Sequence, residues 1–392
     1  MTATAVLAAA LAVGTARLTD PRDTGLRAAG RHPAGREPSG ASGRWVATWT
    51  GAPVRAAPVA ARDLAGTTLR NSVHSSTGGD AARITLSNLF GTGPLVIDRA
   101  RVNSRPVTFG RAGRVTVPAG GQVVSDPVRT RIAADSNLVV SFRTLTTGGH
   151  VTQHPAAFQT SYLVRARTTW PIDDWRYLTV VDVFSTTARG TVVAFGDSLT
   201  AGSGSTPDAN RRWPDLLSDR LKGRWGVANQ GISGNRLLSD GRGGIAGTTR
   251  FARDALGVTG VRTVIVALGI NDAQTAAAHL DPQRVVDALR RLTAQGHARG
   301  LRVIGVTLTP FEGIGNHTPA REAIRQEVNE QIRTGGVFDG YVDFDAVVRD
   351  PAVPQRIRAD YDSGDHLHFN DRGYRALADS IDPGLLTGAP KG

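Results

Sequence analysis

A chain of 392 residues, 40% of them hydrophobic and 20% charged, is long enough to bury more than one core. The absence of cysteine excludes a disulfide framework, cysteine-ligated zinc and a cysteine nucleophile. The net charge of +12 rests on arginines spread along the whole chain, with Lys222 and Lys391 the only lysines. No basic stripe with interleaved aromatics appears, so nucleic acid is not an expected partner.

The first element is an apolar run from Ala3 to about Val13, followed by small residues up to Ala16. It has the character of a signal-peptide core and cleavage region, although no Lys or Arg precedes it. The run is too short for a membrane span, and no other stretch approaches the ~20 apolar residues a span needs. Secretion without stable membrane insertion is therefore expected. Residues 17–43 are rich in Arg, Gly, Pro and Ser with no apolar period, so 1–43 reads as a signal-like segment and a disordered linker.

From Arg44 the pattern changes to short alternating segments such as "TTLRNSV", "ARITLSNLF" and "SNLVVSFRT", separated by Gly, Asn, Asp and Pro. About eight such strands before residue 188 predict an antiparallel β-sandwich of jelly-roll type over residues 44–188. After Thr191, largely apolar strands at 191–195, 225–228, 263–268 and 303–308 alternate with amphipathic stretches near 212–222, 281–299 and 318–334. A shorter strand at 341–344 and a last helix from about Asp371 to Ile381 complete an α/β pattern. Strands buried on both faces with helices between them predict a doubly wound parallel sheet over 189–392. Ligands of such sheets bind beyond the carboxyl ends of the strands.

Those strand ends carry the polar residues. The first leads into Gly196-Asp197-Ser198, the second into "NQGISGNR", the third into "GINDA", and "DSGDHLHFN" follows the fifth. Acyl transfer by serine requires a hydroxyl, a histidine base, an acid that orients the base, and donors for the oxyanion. Ser198 at a strand-to-helix turn would expose its hydroxyl and present its own N–H. Gly234 allows a backbone N–H to approach closely, and the Asn271 side chain offers an amide donor. Asp365 and His368, three apart on one loop, can serve as acid and base; Asp362 and His366, four apart, compete, and spacing alone leaves both pairs open. Asn370 or Asp371 is the expected N-cap of the last helix. Asp197, Asn235 and Asp272 are expected to hold loops.

Other chemistries fail simple tests. There is no G-x-S-x-G elbow, and neither lysine fits S-x-x-K. "GRGGIA" at 241–246 formally fits a dinucleotide fingerprint but lies in a loop rather than between strand and helix, so it is read as flexible loop. The remaining histidines show no H-E-x-x-H spacing. No metal and no cofactor are expected. "GGHVTQHP" at 148–155, Trp170 and Trp175 are candidate substrate contacts, with core packing and turns the plainer explanation.

"GDSL" at 196–199, "GISGN" at 231–235, "GIND" at 269–272 and "DHLH" at 365–368 resemble, in order, the four blocks of the SGNH (GDSL-type) hydrolases. The resemblance implies a flavodoxin-like parallel sheet, Ser198 as nucleophile, Ser198, Gly234 and Asn271 as the oxyanion hole, and His368 and Asp365 as base and acid. It thereby selects His368 over His366. The wider chain resembles the actinobacterial branch with an N-terminal β-domain, close to acylhydrolases associated with xylan degradation. Phe369 departs from that branch, which usually has proline after the histidine. The expected function is a secreted serine esterase working through an acyl-enzyme on an ester substrate. Short acyl groups such as acetyl on a polysaccharide are the first expectation. A lipase or phospholipase acting on longer chains is the alternative within the class, and a non-catalytic carbohydrate-binding protein the alternative outside it.

Overall fold

In a computed structural model the described residues are 42–55, 64–275 and 280–388. The signal-like segment, and all but the last two residues of the linker expected over 1–43, lie outside them. Thr68–Ser75 shows why the next part is a sandwich: Leu69, Asn71, Val73 and Ser75 are buried, and the residues between them face outward. The same alternation runs through Ser136–Thr144, its antiparallel partner. A seven-stranded sheet orders Thr168–Ile172, Ser161–Arg165, Thr68–Ser75, Ser136–Thr144, Leu95–Val102 and Arg105–Pro106, with Arg114–Val117 also on Leu95–Val102. A five-stranded sheet orders Arg44–Thr50, Leu178–Ser185, Gly79–Ser87 and Gln122–Val124, with Val128–Ile132 also on Gly79–Ser87. Their inward side chains share one core, among them Leu69, Val140 and Phe142 from the first and Val46, Ile84 and Val181 from the second.

Fifteen strands, rather than about eight, precede the parallel sheet among the described residues. The excess is mostly strands of two to five residues, such as Val54–Arg55, Thr152–His154 and Trp175–Arg176, which form a third small sheet. Segments so short carry no readable alternation.

The parallel sheet consists of Thr191–Gly196, Gly226–Gly231, Val261–Ala267, Arg302–Val306 and Gly340–Val342, in spatial order second, first, third, fourth, fifth. All six residues of the first strand are buried, because they face two cores in turn. Val193 and Phe195 join a cluster with Val285, Leu289 and Val328 of helices Pro282–His297 and Pro319–Thr334. Val192 and Ala194 join one with Leu216, Leu217 and Leu377 of helices Trp213–Leu221 and Asp371–Ser380. That double burial is the source of the unbroken apolar reading of the strand. Because the second strand lies outside the first, the chain reverses direction between the first and third strands, where ligands of this topology bind.

Two expectations need correction. The segment "YVDF" is not a strand to 344, since the Asp343 side chain accepts from Ala346 N–H and caps helix Phe344–Val348. Helices Ser198–Ala201, Ile270–Thr275 and Gly247–Phe251, the last continuing into a π-helical turn at Ala252–Leu256, add to those expected from periodicity. They are too short to show a period of 3.6.

The second strand is the outer edge of the parallel sheet, and the antiparallel part covers it. Ser76 Oγ accepts from Val227 N–H at 2.8 Å, and Thr50 Oγ1 donates to the Asn229 carbonyl at 2.9 Å. Ala47 N–H donates to the Thr259 carbonyl at 3.1 Å, and its side chain enters the same cluster as Val193. The two parts belong to one compact unit.

Candidate active site

Ser198 is the first residue of the helical turn Ser198–Ala201, capped by Asp197, whose side chain accepts from Leu199 N–H at 3.0 Å. Its side chain is held next to His368, 170 residues further along, with Oγ 2.9 Å from Nε2. His368 Nδ1 lies 2.6 Å from Asp365 Oδ2. A carboxylate can only accept, so the proton of the neutral imidazole resides on Nδ1 and Nε2 is the acceptor for the serine hydroxyl.

Asp365 is built to stay ionised. Partial burial works against its charge, but hydrogen bonds from His368 N–H, the His368 imidazole and Leu367 N–H outweigh burial and lower the carboxyl to about 2. The loop that carries the pair is anchored on its C-terminal side by Phe369, which is fully buried and meets the Tyr374 ring edge-on at 5.6 Å. Asn370 caps helix Asp371–Ser380 and donates its amide to the carbonyls of Asp360 and Asp362. The Tyr374 hydroxyl donates to the Ser203 carbonyl at 2.7 Å, tying that helix to the segment after Ser198.

The competing pair also forms. His366 Nδ1 lies 2.7 Å from Asp362 Oδ2, but the imidazole is half exposed and, among the described residues, bonds to no serine. His366 has φ +63° and lies against Gly313. Two His–Asp pairs therefore share one loop, and one of them reaches a hydroxyl.

Gly234 sits at φ +72° in a turn closed by Asn235 N–H on the Ile232 carbonyl. The Asn235 amide donates to the carbonyls of Gly243 and Ile245 at 2.7 and 2.9 Å. Gly243 approaches so closely that a Cβ there would lie 2.2 Å from the Gly234 carbonyl carbon. The glycine-rich run at 241–246, expected to be loose loop, is thus a hydrogen-bonded turn laid against Gly234, further closed by Ala246 N–H on Asp240 Oδ1. Its glycines serve close backbone packing, the same property that produced the dinucleotide-like spacing.

Asn271 lies in helix Ile270–Thr275, and its amide donates to the Asn235 carbonyl at 3.0 Å. The adjoining Asp272 accepts from Leu237 and Leu238 N–H at 2.7 and 2.9 Å. Gly234 and Asn271 are therefore locked to each other through Asn235 and Asp272. Among the described residues, the N–H groups of Ser198 and Gly234 donate to no protein acceptor, leaving both available to a ligand.

Sequence reasoning passed over Arg250. Its side chain is fully buried, with the guanidinium 4.1 Å from the centre of the Phe195 ring. It donates to the carbonyls of Gly196 and Gln230 at 2.7 and 2.9 Å and to Asn235 Oδ1 at 2.9 Å, and it pairs with Asp254 at 3.3 Å. One cation thus fastens the ends of the first and second strands to the turn holding Gly234. Burial pulls its guanidinium down to about 10, against the pull of Asp254, so it remains charged at neutral pH. The available signal was Asp254 four residues after Arg250, a helical ion-pair spacing in a segment with few other charges.

Asp197 is completely buried. Burial raises its carboxyl to about 7, against the Leu199 N–H bond, with the nearby Asp272 charge acting in the same direction as burial. Trp175 is buried and Trp170 is 46% exposed on the outermost strand of the seven-stranded sheet. A cavity of about 20 Å³, room for one water, is lined by Trp49, His154, Trp175, Arg212 and Asn229, but not by Ser198 or His368. Among the described residues no group of three or more His, Asp or Glu side chains is placed to hold a metal, and no helix is long and apolar enough to cross a membrane.

Residues 194–376 match the GDSL-like Lipase/Acylhydrolase family. No curated protein matches the chain. Among solved structures, the carbohydrate acetylesterase family member from Sinorhizobium meliloti is 20% identical with a TM-score of 0.41, over 50% of this chain and 97% of that one. The inhibitor-bound aryl esterase of M. smegmatis is 18% identical with a TM-score of 0.39, over 48% of this chain and 94% of that one. A lipolytic protein of the G-D-S-L family from Veillonella parvula DSM 2008 is 18% identical with a TM-score of 0.37, over 48% and 94%.

Proposed function

From the standing of residues 194–376 as a GDSL-like lipase/acylhydrolase segment, we propose that the protein is a serine esterase with Ser198 as nucleophile, His368 as base and Asp365 as its orienting acid. The observation that carries this reading is the 2.9 Å contact between Ser198 Oγ and His368 Nε2, with the opposite imidazole nitrogen held by Asp365. Ser198 attacks an ester carbonyl while its proton passes to His368 Nε2. The N–H groups of Ser198 and Gly234 and the second amide hydrogen of Asn271 receive the oxyanion. His368 then protonates the leaving alcohol, and in the second half-reaction it takes a proton from the water that releases the acid. Every proton transferred begins or ends on His368, so the protein's own residues suffice for the cycle.

The acyl group is short, with acetyl on a polysaccharide as the first candidate. In the loops at 196–205, 231–245, 311–316 and 360–369 the half-buried Leu199, Leu238, Ile314 and Leu367 pack against the core beneath them, and none of the loops carries a large apolar side chain that stands fully exposed, whereas a long acyl chain calls for an apolar track. The apolar run Ala3 to Val13 supports export, which would bring the enzyme to such a polymer. In this reading residues 189–392 carry the chemistry and residues 44–188 brace it.

A fluorophosphonate should label the wild type stoichiometrically and leave Ser198→Ala unlabelled. The variant should also lose hydrolysis of p-nitrophenyl acetate by on the order of 10³-fold or more while keeping its circular-dichroism spectrum. Undiminished turnover in the variant would reject the assignment. Rates on p-nitrophenyl esters should fall as the acyl chain lengthens.

A further inference from the structure

The outward face of the seven-stranded sheet aligns an aromatic ring with guanidinium groups that make no ion pair. Strand register places Pro171 opposite Tyr162, Tyr162 opposite Arg70, Arg70 opposite Ser141, and Ser141 opposite Arg101. Directly opposed residues point to the same face, so these side chains form one row across five strands. Arg70 and Arg101 are exposed, and Tyr162 is 37% exposed. A neighbouring row runs from Val164 through Thr68 and Arg143 to Asp98 and Arg114. There Asp98 is occupied by Arg143 in a two-pronged pair at 2.9 and 2.6 Å, which leaves Arg114 free of a direct ion pair. Among the described residues, Arg70, Arg101 and Arg114 make no ion pair. Val139, also 37% exposed, adds an apolar patch on the strand next to Arg70.

The surrounding composition points the same way. Between Arg44 and Ala188 sixteen arginines accompany eight aspartates, with no lysine or glutamate, so this part holds most of the chain's +12. A polar, net-positive face with one exposed ring and several hydroxyl groups fits an anionic polymer of sugars. The ring can lie against a pyranose face, the guanidinium forks match carboxylates, and Ser72, Ser141 and Thr68 offer hydroxyls. From Tyr162 to Arg101 the row crosses three strand spacings, about 14 Å, room for a short oligosaccharide. Single-stranded nucleic acid fits less well, because its sites stack successive bases on several aromatics along a groove.

We propose that this face binds a uronate-bearing polysaccharide and holds the esterase on its polymer. The choice of a sugar polymer rests on the esterase reading above; the face itself does not. The test uses the full chain in affinity electrophoresis through gels containing polygalacturonate, neutral xylan or single-stranded DNA. Polygalacturonate should retard the wild type, and added salt should weaken the effect. Arg70→Gln/Arg101→Gln and, separately, Tyr162→Ala should each weaken it by tenfold or more, with p-nitrophenyl acetate turnover unchanged. Equal retardation of the double variant, equal binding of neutral xylan, or tighter binding of DNA would overturn the proposal. If the wild type binds polygalacturonate but hydrolyses no ester, the catalytic reading fails and this surface stands. Hydrolysis without binding removes this surface and leaves the catalytic reading intact.

Discussion

Ser198 Oγ and His368 Nε2 stand 2.9 Å apart although 170 residues separate them in the chain. A contact of that sequence separation requires the first strand and the loop before the last helix to be fixed independently. Phe369 and the Asn370 cap fix the second, and the two-sided burial of Thr191–Gly196 fixes the first.

The two His–Asp pairs on that loop should separate cleanly by function. His368→Ala is expected to lose ester turnover by on the order of 10³-fold or more, and His366→Ala by less than about tenfold. Steady-state rates on p-nitrophenyl acetate decide this, and the reverse ranking would move the base to His366.

Arg250 should matter to both stability and turnover. Replacing it by Ala leaves Asp254 paired with Arg253 alone and removes the shared donor of the Gly196 and Gln230 carbonyls and Asn235 Oδ1 in the core, with an expected loss of about 1–3 kcal/mol in urea unfolding. Arg250→Lys keeps a charge but cannot reach the Gly196 and Gln230 carbonyls and Asn235 together, so it should fold with a reduced kcat and a nearly unchanged KM. A fall confined to KM would place Arg250 outside the support of the reacting groups.

Gly243→Ala tests the turn beside Gly234. The new methyl would meet the Gly234–Asn235 peptide, with the Asn235 nitrogen at 2.4 Å, and must displace it. Kcat should drop by roughly 10²-fold, the usual cost of one misplaced oxyanion donor. A variant with normal kcat would show that Gly234 N–H does not serve the transition state.

His154 sets an acid limit on stability. It is fully buried with Nδ1 donating to the Ala52 carbonyl, and burial lowers its pKa from 6.5 to about 4, helped by the nearby Arg212 and Arg250. The unfolded chain therefore takes up this proton at higher pH than the folded one. The stability contributed by neutral His154 is complete above about 6.5 and declines as pH falls toward 4, a loss on the order of 3 kcal/mol. His154→Gln retains an amide donor and should show a shallower drop in melting temperature between pH 7 and 4.5. Identical drops would assign the acid sensitivity elsewhere.

Much of the parallel-sheet part was legible in sequence, for identifiable reasons. The parallel strands bury both faces, so the first, third and fourth read as apolar runs, and the first, second and third lead into polar, glycine-containing motifs. The bond from His368 to Ser198 was not legible from spacing, since Asp362 and His366 form an equally good pair four residues apart. Arg250 escaped notice because its role lies in three acceptors, two strand-end carbonyls and one side-chain amide in a turn, and no local pattern records such a convergence. The antiparallel part was legible in kind but not in count. Its two- and three-residue strands exist through pairing with distant partners, as Thr152–His154 does with Trp175–Arg176 and Val54–Arg55.

The coverage of the Gly226–Gly231 edge by Ser76 and Thr50 bears on how separable the two parts are. A fragment starting near residue 189 would retain every residue of the candidate site yet present a bare strand edge, with the Val227 N–H and the Asn229 carbonyl turned outward. Such an edge recruits whatever strand arrives first, including the same edge of a second fragment. The amino-terminal half would then act as an internal chaperone as well as a brace, and dissecting this protein would call for substitutions within the full chain in preference to truncation.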